Sequence, residues 1–381
     1  MYVLNPAQFS PELFLTEYWQ KKPVLIRQGF ANFKAPIEAD EVAGLAGLED
    51  VESRIIYREG ESYVAEFGPF DGFQRLGDKN WSLVVQALDH WSEDAAKMIE
   101  PFRFIPHWRL DDLMVSFATP GGGVGPHIDW YDVFICQGTG VRNWRVGDKG
   151  AHVEYAAHPA LLHVEAFAPI IDEVVYPGDI LYIPPGFPHD GVTIENSLSF
   201  SVGFRSNSSV NFLSGLADFL IDNELGNELI SDPHRPLSNN SGAISADDFG
   251  LIKQNMQHIL DNKELMQKFV GTFLTEAKHE LDLMPADQPF TTTQVSQLLK
   301  QHDLMRLGGL RAFYFSDSIH QGTVYINSEQ VTFDQSLVPA IKMLCDNVCV
   351  TAQMISAFAD NKDFLAFIVT MLNKGYWYLA E

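Results

Sequence analysis

The sequence predicts an α+β protein: a β-barrel first, then a helical region, then a small winged-helix-like domain. Three observations carry this. Between residues 112 and 204, short apolar runs recur with turn residues between them, the pattern of a barrel or sandwich. Beyond Arg205 the apolar residues take up helical spacing. The last hundred or so residues alternate short helices with short strands.

Taken in order, residues 8–30 read as a short amphipathic helix followed by a strand. Residues 40–48 and 81–98 read as helices, the second carrying Trp81, Leu83, Val84, Leu88 and Trp91. Strands are expected at 113–117, 133–137, 141–146, 161–164, 180–183 and 198–204. Gly138-Thr139-Gly140 is expected to join two of them as a hairpin. Ser206-Asn207-Ser208-Ser209 can cap a helix over 210–225. A polar loop follows at 231–243, then helices at 246–261 and 263–280, and a linker at 285–289. The remainder reads helix, strand, strand, helix, helix, strand, with 312–315 and 323–326 paired. The expected domains are 1–206, 207–280 and 281–381.

The chemistry lies in two segments of the barrel. One is His127-Ile128-Asp129. The other, Pro177-Gly178-Asp179-Ile180-Leu181-Tyr182-Ile183-Pro184-Pro185-Gly186-Phe187-Pro188-His189, ends sixty-two residues after His127. Residues two apart on a strand point to the same face, so His127 and Asp129 can reach one metal. Pro177-Gly178-Asp179 makes a turn, 180–183 a buried strand, and Pro184-Pro185-Gly186 ends it, so that His189 projects from the strand's end on the opposite side. Two imidazoles and one carboxylate suit a non-haem Fe(II) with open coordination positions. An H-x-D triplet alone is commonplace; the long second segment makes it specific. The barrel that brings such strands together is the double-stranded β-helix, a jelly-roll relative.

Composition sets limits. Hydrophobic residues at 46% and charged residues at 20% describe an ordinary soluble chain. No apolar run is long enough to span a membrane, and no signal peptide is visible. The three cysteines make no disulfide framework, which suits the reducing cytoplasm. Cys345 and Cys349 read as two buried small residues on one helix face. The formal charge of −24 argues against direct nucleic-acid binding and favours cationic partners. The winged-helix-like region, with few Lys and Arg, lacks a DNA-binding surface and is better suited to a partner or a structural role.

These motifs resemble the JmjC-type cupin oxygenases, which depend on Fe(II), 2-oxoglutarate and dioxygen. Glu17-Tyr18-Trp19-Gln20-Lys21-Lys22-Pro23-Val24-Leu25-Ile26-Arg27 is similar to the entry helix and first strand of the protein-hydroxylase branch. Asp111-Asp112-Leu113-Met114-Val115-Ser116-Phe117, Pro120-Gly121-Gly122-Gly123-Val124-Gly125-Pro126-His127, Tyr131-Asp132-Val133-Phe134-Ile135 and Arg306-Leu307-Gly308-Gly309-Leu310-Arg311 resemble the bacterial ribosomal oxygenases. The resemblance implies hydroxylation of an arginine of large-subunit ribosomal protein sixteen, and a homodimer formed through the central helices.

It also implies roles for single residues. Arg142, fifteen residues after His127, stands where related enzymes place a basic residue, usually Lys, that holds the distal carboxylate of 2-oxoglutarate. Arg suits a bidentate contact to that carboxylate. Arg145 should face the other way. Ser116 resembles the residue whose hydroxyl assists the cosubstrate. Asp112, Met114 and Ser116 alternate along one strand face, and Tyr131 shares the face of Asp129. With Ser201 they form the expected substrate pocket, Asp112 pairing with a guanidinium and Tyr131 stacking on it. Gly121-Gly122-Gly123-Val124-Gly125-Pro126 lacks the Lys-Ser/Thr of a phosphate loop and is expected to be a flexible lip that lets substrate backbone approach. The remaining histidines, His163 and His279 among them, read mostly as surface residues. Hydroxylation at His or Asn, demethylation, and a binding cupin with a structural metal remain open on the residues alone.

Overall fold

The computed structural model describes residues 2–60 and 62–380, which divide into two compact units. The first comprises Met1–Ser206 with Lys278–Asp282, and the second comprises Asn207–Ala277 with Leu283–Glu381.

The first unit contains helices α1 (Pro11–Glu17), α2 (Ala39–Leu45), α3 (Leu88–Trp91) and α4 (Glu93–Ala96). Its strands are β1 (Val24–Ile26), β2 (Ser53–Glu59), β3 (Ser62–Phe67), β4 (Trp81–Val85), β5 (Leu110–Ala118), β6 (His127–Ile128), β7 (Asp132–Thr139), β8 (Arg142–Gly147), β9 (Glu154–His158), β10 (Leu161–Val164), β11 (Pro169–Val175), β12 (Ile180–Ile183), β13 (Pro188–Thr193) and β14 (Ser197–Phe204). They form an eight-stranded sheet, β1-β12-β7-β14-β5-β4-β2-β3, a four-stranded sheet, β11-β8-β13-β6, and the separate hairpin β9-β10.

The larger sheet is buried on both faces, and alternation assigns its side chains. Leu113 and Val115 of β5, Phe134 and Cys136 of β7, Ile180 and Tyr182 of β12, and Leu198, Phe200, Val202 and Phe204 of β14 join one core with Phe14, Val42, Leu88 and Phe102. Val133, Ile135, Leu181 and Ile183 point the other way and pack on Trp144 and Val146 of β8, which closes the barrel. Along β5 and β14 the inward positions are instead Met114, Ser116, Ser197, Ser199 and Ser201, so the barrel interior turns polar there. The Pro-Gly-Asp turn before β12 is held by Asp179, which accepts from the backbone N–H of Tyr176 and Gln28 and from Arg27.

Several expectations are corrected. The apolar run at 81–85 is the buried strand β4 rather than the start of a helix; every one of its residues is covered, so no alternation marks it. Helix begins only at Leu88. Gly138-Thr139-Gly140 is a corner between sheets, not a hairpin: both edges of β7 are taken by β12 and β14, so β8 joins the other sheet. Strands β2, β3, β9, β11 and β13 escaped the sequence reading. His189 does not project from the end of β12. It lies on β13, beside β6 in the same sheet rather than opposite it.

The second unit contains α5 (Ser209–Asp222), α6 (Ala246–Asp261) and α7 (Lys263–Thr275), with Ser208 capping α5 as expected. It continues with α8 (Thr292–Leu298), β15 (Leu304–Arg306), β16 (Ala312–Phe313), β17 (Thr323–Ile326), β18 (Glu329–Thr332), α9 (Val338–Asp346), β19 (Cys349–Val350), α10 (Ala352–Ile355), α11 (Lys362–Asn373) and β20 (Trp377–Leu379). The expected helix over 263–280 stops at Thr275. The expected β-pair is present as β16 with β17. Cys345 is buried in α9, but Cys349 is exposed in β19, so the two do not share a buried helix face. No described helix is long and apolar enough to cross a membrane.

Candidate active site

Strands β6 and β13 pair so that His127 stands directly across from His189. The imidazole centroids are 4.3 Å apart. Asp129 follows β6, and its Oδ2 lies 3.8 Å from Nε2 of His127 and 3.5 Å from Nε2 of His189. One ligand atom from each residue lies within 4.8 Å of the other two.

The backbone selects the ligating nitrogens. His127 Nδ1 sits 2.8 Å from the Gly125 carbonyl, and His189 Nδ1 3.0 Å from the Phe187 carbonyl. A carbonyl only accepts, so each Nδ1 carries its hydrogen and Nε2 is the nitrogen each ring turns toward the metal position. Burial, reinforced by the charge of His189, pulls His127 down to about 4, so it is uncharged at neutral pH, the form that ligates. Burial opposes ionisation of Asp129, but His127 and the hydrogen bond with His189 outweigh it and hold the carboxyl far below the usual range; Tyr131 adds a further hydrogen bond. His189 behaves oppositely: burial pulls it down, but the hydrogen bond and charge of Asp129 raise it above the usual value, so it shares a proton with Asp129 that a metal would displace. Two imidazoles and a carboxylate on one side of a cavity fit Fe(II) with positions left open.

The cavity beside them has a volume of about 280 Å³. Arg142 enters it from the first position of β8 and is 4% exposed. Its guanidinium donates to the Ser197 hydroxyl at 3.0 Å and to the Ser116 carbonyl at 3.4 Å, with the Ser116 hydroxyl 3.5 Å away. Burial lowers its pKa to about 10, which leaves it charged at neutral pH. Among the described residues no carboxylate pairs with it. A buried charge without a counter-ion costs several kcal/mol, so this corner is built for a carboxylate that comes from outside the chain. Ser199 Oγ, Trp144 Nε1, His163 Nδ1 and Arg54 Nε are also buried without a hydrogen-bond partner, and all four residues line the same cavity. Orphaned donors and acceptors of this kind mark a site that a ligand completes.

Comparison with known proteins agrees with this geometry. Residues 97–212 match the JmjC domain family, and residues 254–378 match the ROXA-like winged helix. The chain is 42% identical over 366 residues to the ribosomal protein uL16 3-hydroxylase of Escherichia coli strain K12, covering 96% of both chains. The chain belongs to the JmjC ribosomal oxygenases. The Escherichia coli ribosomal oxygenase YcfD superposes over 100% of both chains with a TM-score of 0.93 at 41% identity. A further structure of it, in complex with cobalt and 2-oxoglutarate, gives a TM-score of 0.91 at 40% identity, again over 100% of both chains.

In this ribosomal oxygenase Met114, Ser116, Tyr131 and Ser201 line the same cavity as the triad and Arg142. Asp112 does not. It keeps the inward face of β5 but lies near a register shift between Val202 and Phe204 of β14, outside the cavity lining. There its Oδ2 accepts from the Ala87 N–H at 3.1 Å, and burial followed by the charge of Asp89 raises its carboxyl to about 7. Arg145 faces away, over the ring of Phe167, as alternation predicts.

The sequence reading missed Arg54, Trp144, Ser197, Ser199 and His163. Alternation from Arg142 leads to Trp144, and alternation from Ser201 leads to Ser199 and Ser197, so those three were within reach. His163 is corrected from a surface residue to one that is 1% exposed, its Nε2 against the Val124 carbonyl at 2.8 Å. The glycine loop is corrected too. Gly121 N–H donates to Thr193, Thr193 N–H donates to Gly122, and a Cβ on Gly122, Gly123 or Gly125 would strike Trp81, Gly191 or His163. Its glycines admit the protein's own backbone and ring.

Proposed function

We propose that this chain hydroxylates an arginine side chain of the large-subunit ribosomal protein uL16, the protein named by its Escherichia coli relative, using Fe(II), 2-oxoglutarate and dioxygen. The observation that carries the reading is the pairing of a three-ligand centre with a buried, uncompensated Arg142 in one cavity. His127, Asp129 and His189 would hold the metal. Arg142 and Ser116 would hold the distal carboxylate of 2-oxoglutarate. Fe(II), when bound with its cosubstrate, supplies the oxidant that dioxygen and 2-oxoglutarate generate together. The protein's own part is placement. The Gly125 and Phe187 carbonyls fix the two imidazoles, Tyr131 orients Asp129 through its hydroxyl, and the apolar barrel wall excludes water. A cupin with only a structural metal would not need a charged Arg142 in its cavity.

On the substrate side, Tyr131, Met114 and Ser201 would flank the arginine stem, and Asp112, one inward position beyond Met114 on β5 and outside the cavity lining, would take a guanidinium that reaches past Met114. The −24 charge favours a basic ribosomal protein over nucleic acid and works against direct RNA binding. We place the enzyme in the cytoplasm on its free cysteines and its substrate. Catalysis is assigned to 1–206, self-association to 207–280 and the winged-helix-like domain to 281–381. The self-association rests on apolar side chains left open on α5 and α6: Val210, Leu213, Ile221, Phe249 and Met256 are all more than half exposed.

The deciding experiment supplies the Fe(II) enzyme with uL16 peptides carrying either Arg or Lys at the target. A gain of one oxygen on the Arg peptide alone is expected. Oxidation of a His or Asn peptide instead would overturn the substrate assignment. For the dimer, light scattering on the full chain should report twice the chain mass, and Leu213→Glu with Phe249→Glu should halve it; a monomeric parent at micromolar concentration removes the proposal.

A further inference from the structure

The residue expected to take the substrate guanidinium has a partner that no motif points to. His279 belongs to the short segment Lys278–Asp282 that packs in the first unit, although the helix before it belongs to the second. Its Nε2 lies 3.7 Å from Oδ2 of Asp112 and is buried without a hydrogen-bond partner. Its Nδ1 lies 3.1 Å from a carboxylate oxygen of Glu52. His90 stands edge-on to its ring at 6.0 Å and is itself fixed by the Glu280 carbonyl at 2.9 Å. The array runs from outside to inside. The Glu52 side chain is 63% exposed on the rim of a cavity of about 360 Å³, that of His279 is 11% exposed, and that of Asp112 10%.

We propose that Glu52, His279 and Asp112 form a relay that positions the buried Asp112 carboxylate for a cationic substrate side chain, and that binding of that cation expels the one proton the Asp112–His279 pair holds. The proposal rests on Asp112 being the guanidinium acceptor. Glu52 only accepts, so the Nδ1 hydrogen of His279 is committed to it, and Nε2 is left to trade a proton with Asp112. The groups around the pair decide where that proton rests. Asp89, whose Oδ1 accepts from the Leu113 N–H, and Asp111, paired with Arg205 and Lys278, stand next to Asp112 and disfavour a third carboxylate charge. Burial, then Lys278 and His90, disfavours a charged His279, against the pull of Glu52. With no substrate the stable form is therefore neutral: a protonated Asp112 facing the lone pair of Nε2. A guanidinium supplies the counter-charge that lets Asp112 ionise. The Asp112 O–H breaks as His279 Nε2–H forms, the His279 Nδ1–H breaks as a Glu52 O–H forms, and Glu52 gives that proton to solvent, which leaves His279 as the Nε2–H tautomer facing the ionised Asp112.

The sign follows. Asp112 sits near 7 when free of substrate, so below that pH the cation must displace a proton and its affinity falls. The test is calorimetric titration of the full-length enzyme, loaded with Mn(II) and 2-oxoglutarate without oxygen, with a uL16 peptide carrying the target arginine. The parent should bind about tenfold more weakly at pH 6 than at pH 8, with close to one proton released at pH 6. His279→Gln replaces the imidazole that shares the Asp112 proton with an amide that cannot be protonated, and should move the midpoint of this dependence, whose size Asp112 itself sets. An unchanged melting temperature certifies its fold, and Glu52→Gln should shift the midpoint in a second background. A pH profile identical in His279→Gln and the parent overturns the relay while leaving Asp112 as the acceptor. Parent-like peptide binding by Asp112→Asn at both pH values removes the acceptor itself, a failure of the underlying reading that is told apart by that variant alone.

Discussion

The four-stranded sheet and the eight-stranded sheet face one cavity with different chemistry. The smaller sheet contributes His127, Arg142, Trp144 and His189, with Asp129 just beyond β6. The larger contributes Met114, Ser116, Ser199 and Ser201, with Arg54 as its charged member. The smaller sheet's groups are fixed by short-range geometry: direct β6–β13 pairing, two backbone carbonyls on the imidazoles, two serines on the guanidinium. The larger sheet lends Ser116 and Ser197 to that guanidinium, while its Met114, Ser199 and Ser201 are a flexible thioether and two small hydroxyls in the same polar wall. On the proposed function the smaller sheet, helped by Ser116 and Ser197, would hold the metal and 2-oxoglutarate in a single pose. The rest of the larger sheet's wall would accept a longer side chain, and the two should respond differently to mutation.

The largest effects belong to the smaller sheet. His127→Ala, Asp129→Ala and His189→Ala should each lower succinate formation by more than about a hundredfold, since even residues that only support metal ligands cost 10–100-fold when lost. The melting temperature should change little, because none of the three packs in the apolar core. A variant that retains full turnover is not a ligand. Arg142→Ala comes next. Losing a charge-assisted pair of about 1.5–3 kcal/mol should weaken 2-oxoglutarate binding roughly 10–150-fold, with Fe(II) affinity unchanged. Unaltered cosubstrate affinity would pass the role to another cation, and Arg54 is the one that lines the cavity beside it.

The same contrast explains what the sequence disclosed. His127, Asp129, His189 and Arg142 are chemically conspicuous in a strand context, and their spacing is set by strand periodicity, so they could be found without coordinates. The strand carrying His189 was misplaced nonetheless, because Pro184-Pro185-Gly186 reads as an ending, while the positive φ of Gly186 only turns the chain into β13. On the larger sheet Ser199 and Arg54 look like any strand residues, and β2 carried no motif at all. β4 was lost for a physical reason: a strand covered on both faces shows no alternation, and its five apolar or small residues fit a helix equally well. Asp112 was read correctly as sharing a face with Met114 and Ser116. Local alternation holds no information about the β14 register shift beside it or about a segment arriving from residues 278–282.

The smallest effects should come from the larger sheet, and they would sharpen the comparison most. Ser201 lines the cavity from β14, directly opposite Met114 of β5. If this wall only recognises the substrate, Ser201→Ala removes one neutral hydrogen bond, about 0.5–1.5 kcal/mol, and the KM for the arginine peptide should rise about two- to twelvefold. The affinity for 2-oxoglutarate should stay at the parent value, because Arg142 and its serines are untouched. Succinate should then form in excess over hydroxylated peptide, since a loosely held arginine leaves the oxidant without its target. Measuring both products in one reaction separates the two walls. A parallel fall in succinate and hydroxylated peptide, with weaker 2-oxoglutarate binding, would mean that Ser201 also serves the cosubstrate and that the division is wrong at that position.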